Sequence, residues 1–469
     1  YYDADLLAQT GLENYPDDKI IVSETKPEGN YVQDEGALDT WFSSWLWPIS
    51  LFDGIEHPDN KEINYYYPTA DLVTGPDIIF FWVARMIMAG YEYVGKMPFK
   101  HVYFTGIVRD KLGRKMSKSL GNSPDPLDLI ARYGADGVRM GILLSAPAGN
   151  DILYDDSLCE QGRNFCNKIW NCFRLVKGWE ENLTPTLSQG EGEKYAIKWF
   201  EAKLDETAAE IADLFSKYRL SEALMEIYKL YCDEFSGWYL EMIKPAYQQP
   251  IDRATYEATL GFFDRLLRLL HPFMPFITEE LWQNLYERKP GESIMVAAKH
   301  GNDTATTRNR NENDGILAAI ETLKEIVSGV RNVRASKNIP QKERLTLYFE
   351  GADTYEYASL LEKLANVTPS LLPCVEDRGG VSTSSKFIVG TTEFAIPMDA
   401  FINVEEELKK LEADLAHQQG FLKGVMAKLS NERFVANAKP EIVELERKKK
   451  SDAESRIASI EQAIAALKG

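Results

Sequence analysis

The chain has 469 residues, of which 44% are hydrophobic and 27% are charged, with a formal net charge of −19 at pH 7, a composition typical of a globular protein with about three domains. No apolar run reaches the ~20 residues of a membrane helix, and the acidic balance disfavours general attraction to nucleic acid. None of the five cysteines forms a C-x-x-C pair, so no zinc site is visible, and reduced thiols in a cytoplasmic protein are expected.

Residues 34–50 are rich in aromatic side chains. Three tryptophans, Trp41, Trp45 and Trp47, fall within seven positions. From composition alone, a helix that packs these rings into a core is favoured over the wall of a binding pocket.

The next stretch predicts one βα unit. Residues 65–74 predict a strand, which ends in a turn at Gly75 and Asp77, and residues 78–88 are apolar nearly all round, as in a buried helix. A strand, a glycine turn and a buried helix together indicate a parallel nucleotide-binding sheet, whose ligands bind where the strands end. A turn without a ligand is the alternative.

A basic loop follows the second predicted strand. That strand leads through Gly106 into residues 109–122, which include the letters KMSKS, and a helix start signal follows at residues 123–126. Residues 96–118 hold seven lysines or arginines and one acid, Asp110. Ammonium groups and hydroxyls beside a helix N-terminus suit a polyphosphate. A solvated basic loop is the alternative for any lysine- and serine-rich loop.

The rest of the chain predicts helices, a small module and a long arm. Residues 145–150 break the helical pattern and predict a domain boundary, and residues 157–288 predict long amphipathic helices. Residues 301–314 predict a polar linker. Residues 402–469 carry a heptad pattern with a break at 431–440, which predicts an antiparallel coiled coil of two helices.

The KMSKS letters resemble, one for one, the signature loop of the class I aminoacyl-tRNA synthetases. The resemblance implies that this loop closes over ATP, with Mg²⁺ expected beside it, and stabilises the pyrophosphate that leaves. Lys118 would be the principal lysine on the phosphates and Lys115 would assist it. Ser117 and Ser119 would shape the loop, and Met116 would lie beside the nucleotide.

The same resemblance implies the rest of the nucleotide site. In this family the turn after the first strand holds the ATP ribose, which implies Gly75 and Asp77. Backbone after the second strand meets the adenine, which implies Gly106 and Val108. His101 is a candidate contact, and an ordinary strand histidine is the alternative.

Residues 38–44 resemble the valine-specific members of the family, whereas the isoleucine- and leucine-specific members carry different letters here. The resemblance implies a valine pocket formed by Trp41, Ile78 and Trp82. Ile78 and Trp82 are four residues apart and share one helix face. Ordinary helix core is the alternative for this pair.

Residues 162–171 and 271–282 resemble the anticodon-binding helical domain of the same group, and a C-terminal coiled coil is also a feature of its valine-specific members. Valine-specific tRNA, ATP and valine are therefore the implied partners of a protein expected to be a monomer without a membrane contact. The half of the arm near its break, residues 423–450, has eight basic and four acidic residues. It is read either as a solvated hairpin or as a surface for tRNA phosphates.

The predicted fold class is multidomain α/β plus α. The predicted parts are the C-terminal part of a Rossmann-like class I catalytic domain (1–149), a helical-bundle anticodon-binding domain (150–300), a linker (301–314), a small α/β module (315–400) and an antiparallel coiled-coil arm (401–469).

The predicted function is ATP-dependent activation of valine and its transfer to tRNA. One departure limits it, because class I enzymes also need a His-x-Gly-His string, and none of the five histidines fits one. We therefore expect a C-terminal portion that lacks half of the ATP site and is inactive alone. The alternatives are an isolated tRNA-binding module and an isoleucine- or leucine-specific relative.

Overall fold

The computed structural model describes residues 1–146, 150–180, 183–184, 189–247, 249–297, 310–350, 357–371, 384–398, 404–430 and 440–468. The chain divides into two compact units. The first unit comprises Tyr1–Asp128, Gly141–Leu158 and Tyr218–Ser221, and the second comprises Leu129–Met140, Cys159–Lys217 and Glu222–Gly469. Among the described helices, none combines the length and the apolar character that a membrane crossing requires.

The described α-helices, in chain order, are α1 Ala4–Thr10, α2 Thr40–Ser50, α3 Lys61–Tyr66, α4 Ala84–Ala89, α5 Pro126–Tyr133, α6 Ala135–Leu144, α7 Asp156–Gly178, α8 Glu191–Ser216, α9 Leu220–Lys229, α10 Leu240–Ile243, α11 Arg253–Leu270, α12 Pro275–Leu285, α13 Arg310–Ser336, α14 Ala358–Ala365, α15 Val404–Leu429 and α16 Pro440–Lys468. The described strands are β1 Tyr2–Asp3, β2 Tyr31–Val32, β3 Thr69–Thr74, β4 Phe99–Phe104, β5 Val108–Arg109, β6 Ile152–Leu153, β7 Leu183–Thr184, β8 Ile251–Asp252, β9 Leu345–Phe349, β10 Val367–Ser370, β11 Ser384–Val389 and β12 Thr392–Pro397.

The first unit is built on the parallel pair β3 and β4. The connection between these strands carries helical segments that pack against α2. A small apolar core forms where Ile49, Ile63 and Tyr67 meet, with Phe52 and Val94 packed against it. The strand and glycine turn predicted at residues 65–75 are present in this unit, although the strand itself begins at Thr69.

The single buried helix predicted over residues 78–88 is wrong in two respects. The segment consists of a 3₁₀ turn, Pro76–Ile78, a π-helical stretch, Ile79–Val83, and then α4. It is also not buried all round, since the side chains of Phe80 and Phe81 are 83% and 62% exposed. The neighbouring elements that the structure describes leave these two rings largely uncovered, and an apolar segment is buried only where other elements pack against it.

The helices of the second unit bury their aromatic side chains against one another. Phe200 of α8 lies 5.3 Å from Phe235 and 4.9 Å from Tyr239, both between ring centroids. All three rings are fully buried. This packing follows from the apolar stripes of the long amphipathic helices predicted for residues 157–288.

A mixed sheet with the strand order β10-β9-β12-β11 forms the small module. Helix α13 lies against it so closely that a Cβ at Gly329 would overlap the ring of Phe387. Helix α13 begins at Arg310, so residues 310–314 are helical rather than part of a linker. Residues 301–309 of that predicted linker lie outside the described residues, as do residues 147–149 of the predicted boundary.

The predicted antiparallel coiled coil is confirmed. Helices α15 and α16 pack along each other, and Nζ of Lys428 near the end of α15 lies 3.8 Å from Oε2 of Glu446 near the start of α16. Val425 and Val443 are buried in the seam. Most of the predicted break, residues 431–439, lies outside the described residues. The fold is multidomain α/β plus α, as predicted.

Candidate functional site

The parallel strands β3 and β4 end side by side, and a glycine follows each of them. The backbone N–H of Thr105 donates to the carbonyl of Thr74 at 2.9 Å, at the carboxyl ends of both strands. Gly75 and Gly106 therefore leave the sheet at the same edge. A Cβ at Gly75 would lie 3.5 Å from Cδ1 of Ile107, so the turns predicted to hold ribose and adenine are neighbours.

The first turn presents an exposed carboxylate. A Cβ at Gly75 would lie 2.8 Å from Oδ1 of Asp77, which means that the carboxylate folds back over the glycine. Asp77 is exposed. An exposed carboxylate can accept hydrogen bonds from the hydroxyl groups of a ligand.

The second turn requires glycine for a structural reason. A Cβ at Gly106 would overlap the backbone carbonyl oxygen of Asn150. The backbone N–H of Ile107 donates to Oδ1 of Asp151 at 3.2 Å, and Val108 pairs with Ile152. The segment that contains β6 thus fixes the path of the chain into the basic loop.

One carboxylate organises the inside of that loop. Asp110 accepts from the backbone N–H groups of Leu112 and Arg114, at 3.0 and 2.9 Å, through Oδ1. Its Oδ2 accepts from Nε of Arg114 at 2.7 Å and from the Asn122 side chain at 3.0 Å. The Asn122 amide first, and then the donors of Arg114 and Leu112, hold the pKa of Asp110 at about 2.

Asn122 closes the loop from the other side. Its Oδ1 accepts from the backbone N–H of Ser117 at 2.9 Å, and its Nδ2 donates to the carbonyl of Lys115 at 3.3 Å. Ser117 caps the 3₁₀ turn that begins at Lys118, because its Oγ accepts from the N–H of Leu120 at 3.2 Å. The hydroxyls of Ser117 and Ser119 are 3.1 Å apart, so the two side chains can hydrogen-bond to each other across this turn.

The cations of the loop divide into two groups. Arg109 pairs with Asp151, Lys111 pairs with Asp155 at 2.8 Å, and Arg114 pairs with Asp110. The pair with Asp155 raises the pKa of Lys111, and the Lys111 ammonium is the largest of the causes that lower the pKa of Asp155 to about 2.

Lys115 and Lys118 form the second group. Both are exposed, and neither has an ion-pair partner among the described residues. The two lysines that the resemblance assigns to phosphates are therefore the ones whose charges are not already neutralised. An unpaired ammonium group on a surface loop is suited to bind phosphate oxygens.

Met116 contributes to a depression beside the loop. Its side chain lines a depression of about 280 Å³, shared with Lys111, Asn122, Tyr154 and Asp156. The structure thus places Met116 at the base of the loop.

His101 lies apart from the two glycine turns. It is five residues before Gly106 in the chain, which corresponds to roughly 16 Å along an extended strand. Its Nδ1 lies 3.2 Å from Oδ1 of Asp71, and the hydroxyl of Tyr218 donates to the same oxygen. The structure does not bring His101 together with Gly75 and Gly106.

The predicted valine pocket spans two elements that pack together. Trp41 is on α2 and Trp82 is in the π-helical stretch, and these two elements are in contact. Ile78, at the end of the 3₁₀ turn, and Trp82 are both half-buried. The side chain of Trp41 lies outside the described set. Trp45 is a core residue, buried and stacked on Tyr93 with 4.9 Å between the ring centroids.

One group of possible metal ligands occurs among the described residues. Asp53, Glu56 and His57 place one ligand atom each within 4.8 Å of one another. All three are exposed, and Nδ1 of His57 already lies 2.6 Å from Oδ2 of Asp53. The described cysteines, Cys159, Cys166, Cys172 and Cys232, are free thiols.

Sequence reasoning missed the acidic and amide side chains that hold the loop. Asp110, Asn122, Asp151 and Asp155 make most of its side-chain contacts. A signal for Asp110 was present, since it is the one acid within residues 96–118. Nothing in the sequence pattern indicated that Asn122 reaches back to it.

Three family models match the chain. Residues 4–155 match the class I tRNA synthetases (I, L, M and V), residues 197–349 match the anticodon-binding domain of tRNA ligases, and residues 403–468 match the tRNA-binding arm of valyl-tRNA synthetases.

Curated relatives agree with these matches. A valine–tRNA ligase of Phocaeicola vulgatus is 65% identical over 437 residues, and one of Parabacteroides distasonis is 65% identical over 435 residues; each alignment covers 93% of this chain and 48% of the relative. One of Enterococcus faecalis is 37% identical over 464 residues, which is 96% of this chain and 51% of the relative. The chain spans about half the length of the curated relatives that it matches.

Proposed function

The chain belongs to the valine–tRNA ligase family of class I tRNA synthetases, and we propose that it takes part in the ATP-dependent activation of valine and the transfer of valine to its tRNA. In this proposal Gly75 and Asp77 contact the ribose, and Gly106 and Val108 lie along the adenine. ATP brings Mg²⁺ with it.

The observation that carries the proposal is the division of the loop cations. The neighbours of the signature lysines are neutralised by carboxylates, whereas Lys115 and Lys118 are exposed and without an ion pair among the described residues. Their ammonium groups hold the phosphates and stabilise the negative charge that develops as pyrophosphate leaves. Such preorganised charge is a large contribution to the catalysis of phosphate chemistry.

The substrate side of the proposal rests on the valine pocket and on the tRNA-binding regions. Trp41, Ile78 and Trp82 select valine by size and shape. The bundle of residues 150–300 and the arm of residues 401–469 bind valine-specific tRNA, and the basic half of the arm, residues 423–450, lies along its phosphates. Residues 1–149 act as the catalytic part and residues 315–400 as a separate small module, in a cytoplasmic monomer.

We propose further that this chain does not aminoacylate tRNA by itself. The sequence contains no His-x-Gly-His string, and its curated relatives are about twice as long. His101 and Met116 have a secondary part in nucleotide binding at most, since His101 lies away from the glycine turns and Met116 lies at the base of the loop.

Equilibrium binding of ATP–Mg²⁺ and of a valine-specific tRNA transcript to the full chain tests the proposal. Lys118→Ala is expected to weaken ATP binding by about tenfold, since charge-assisted contacts to phosphate are strong. Lys115→Ala should weaken it less. Lys111→Ala is the matched control, because Lys111 is already paired, and it should retain ATP binding. All three variants should bind the transcript as the unchanged chain does.

The alternatives give different results. A tRNA-binding module would bind the transcript and show the same weak or absent ATP binding with and without Lys118. An isoleucine- or leucine-specific relative would prefer the corresponding transcript over the valine-specific one. Equal loss of ATP binding in Lys111→Ala and Lys118→Ala would overturn the specific role of the signature lysines.

A further inference from the structure

Two side chains outside the KMSKS letters hold the backbone of those letters. Asp110 precedes them and Asn122 follows them, and Nδ2 of Asn122 donates to Oδ2 of Asp110 at 3.0 Å. Asp110 is largely enclosed, with 12% of its side chain exposed. The two residues therefore close the loop at its base.

Asn122 contacts the lysine-bearing backbone directly. It bonds to the carbonyl of Lys115 and to the N–H of Ser117, which are the peptide groups on either side of Met116. Ser117 in turn caps the turn that starts at Lys118. The positions of both unpaired lysines thus depend on one amide side chain, which itself depends on Asp110.

We propose that Asp110 and Asn122 form a positioning pair, which holds Lys115 and Lys118 in the arrangement that binds the triphosphate or pyrophosphate group. The inference rests on the proposed function of the loop. The pair acts through the two lysines and does not itself touch the phosphate. Asp110 carries a negative charge close to an anion site, so its presence there is explained by geometry rather than by electrostatic attraction.

Because Asp110 is negatively charged, an experiment can distinguish its positioning role from a direct electrostatic effect on the anion. Removal of a carboxylate near an anion site should strengthen anion binding by reducing repulsion. Removal of Asp110 as a positioning residue should weaken it, because the lysines lose their arrangement. The two explanations therefore predict changes of opposite sign for the same substitution.

Asp155 provides the matched control. It is another carboxylate of the same surface with a pKa near 2, and it pairs with Lys111 rather than with the backbone of the signature letters. Asp155→Asn changes the formal charge by the same amount as Asp110→Asn and keeps the same side-chain shape.

The experiment measures binding of inorganic tripolyphosphate to the full chain, together with amide hydrogen exchange at Ser117. Asp110→Asn and Asn122→Ala should each weaken tripolyphosphate binding by about tenfold, the scale of one lost hydrogen bond to a charged group, and should accelerate exchange at Ser117. Asp155→Asn should bind tripolyphosphate as tightly as the unchanged chain or more tightly. Circular dichroism checks that the helices remain folded, and Asn122→Ala serves if Asp110→Asn does not fold.

Two results overturn the inference. If Asp110→Asn and Asn122→Ala bind tripolyphosphate as tightly as Asp155→Asn does, while Ser117 exchanges faster, then the pair stabilises the loop without positioning the lysines. If Lys118→Ala binds tripolyphosphate as tightly as the unchanged chain does, or if neither binds it, the proposed phosphate role of the loop fails as well. A loss of binding in Lys118→Ala without a loss in Asp110→Asn and Asn122→Ala overturns only the positioning role, so the Lys118→Ala variant tells the two failures apart.

Discussion

The helical region and the α/β region treat their aromatic residues in opposite ways. In the helical region, Phe200 is fully buried and its ring contacts those of Trp199, Phe235, Tyr239 and Phe262. In the α/β region, Phe80 and Phe81 are both mostly exposed. The same type of apolar helical pattern produced a core in one region and an open surface in the other.

Burial of an apolar segment depends on how many other elements pack around it. Helix α8 is covered by α11, α13 and the π-helical segment Leu230–Tyr239, so its apolar stripe is enclosed. The segment after β3 packs on α2 and on the helical segments next to it and keeps a free face among the described residues. The helical region should therefore be stabilised by its own internal packing to a greater extent than the α/β region is.

A substitution in the aromatic core of the helical region should cause a large loss of stability. Phe200→Ala should lower its free energy of unfolding by about 3–5 kcal/mol, because the substitution leaves a cavity among four rings. Phe81→Ala is the matched control in the α/β region and should change stability by less than about 0.5 kcal/mol. Urea unfolding followed by circular dichroism, with hydrogen exchange of α8, measures both. If the two substitutions lowered the free energy of unfolding equally, the buried rings around Phe200 would not be a major source of stability for the helical region.

A second prediction concerns the place where the α/β region is tightly packed. Gly106→Ala should destabilise the junction of the second glycine turn and β6 by about 1–3 kcal/mol, because the new methyl group meets the backbone of Asn150 and a backbone cannot rotate away. Gly75→Ala should cost less, since its methyl group meets the end of the Asp77 side chain, which can turn. Hydrogen exchange at Ile152, whose N–H donates to the carbonyl of Ile107, is the measurement.

These two variants locate the rigid part of the α/β region. A large loss in Gly106→Ala with none in Gly75→Ala would show that the α/β region is rigid where it feeds the basic loop and open elsewhere. Similar losses in both would indicate one uniformly tight sheet edge. The helical region offers a parallel in Gly162, where a Cβ would overlap the carbonyl of Gly137.

The parts of the fold that the sequence predicted correctly are those set by local periodicity. The heptads of residues 402–469 predicted the coiled coil, and the apolar stripes predicted the long helices. The strand followed by Gly75 was also predicted. In each case the pattern needs only its neighbours in the chain to take effect.

The parts that could not be predicted depend on distant contacts. The need for glycine at position 106 arises from Asn150, which is far away in the sequence. The bonds of Asn122 to Asp110 and Ser117 depend on the path of the whole loop, and side-chain bonds to the backbone have no periodicity. The change to a π-helix at Ile79–Val83 has no sequence signal that we can identify.

Two carboxylates, Asp110 in the loop and Asp136 in the helical region, differ in how their pKa values are shifted. In the loop, hydrogen bonds from Asn122 and from the Arg114 and Leu112 groups lower the pKa of Asp110 to about 2 from its ordinary 3.8. In the helical region, burial raises the pKa of Asp136, although Asp136 accepts from the N–H of Ile277 at 2.6 Å. The two groups should therefore respond to acid in opposite directions.

For Asp110 the folded form releases its proton more readily than the unfolded form, so its stabilising contribution is complete above about pH 4 and is lost as the pH falls toward about 2. For Asp136 the pKa is higher in the folded form than in the unfolded form, so protonation of this group at low pH does not destabilise the folded form.

Hydrogen exchange corrected for intrinsic rates should therefore show constant protection of the Leu112 and Arg114 amides from pH 8 to about 4 and faster exchange below that, without a matching loss at Ile277. Asp110→Asn should remove the pH dependence at Leu112 and Arg114. An unchanged acid response in that variant would assign it to another group, such as Asp155, and would mean that Asp110 does not control the order of the loop.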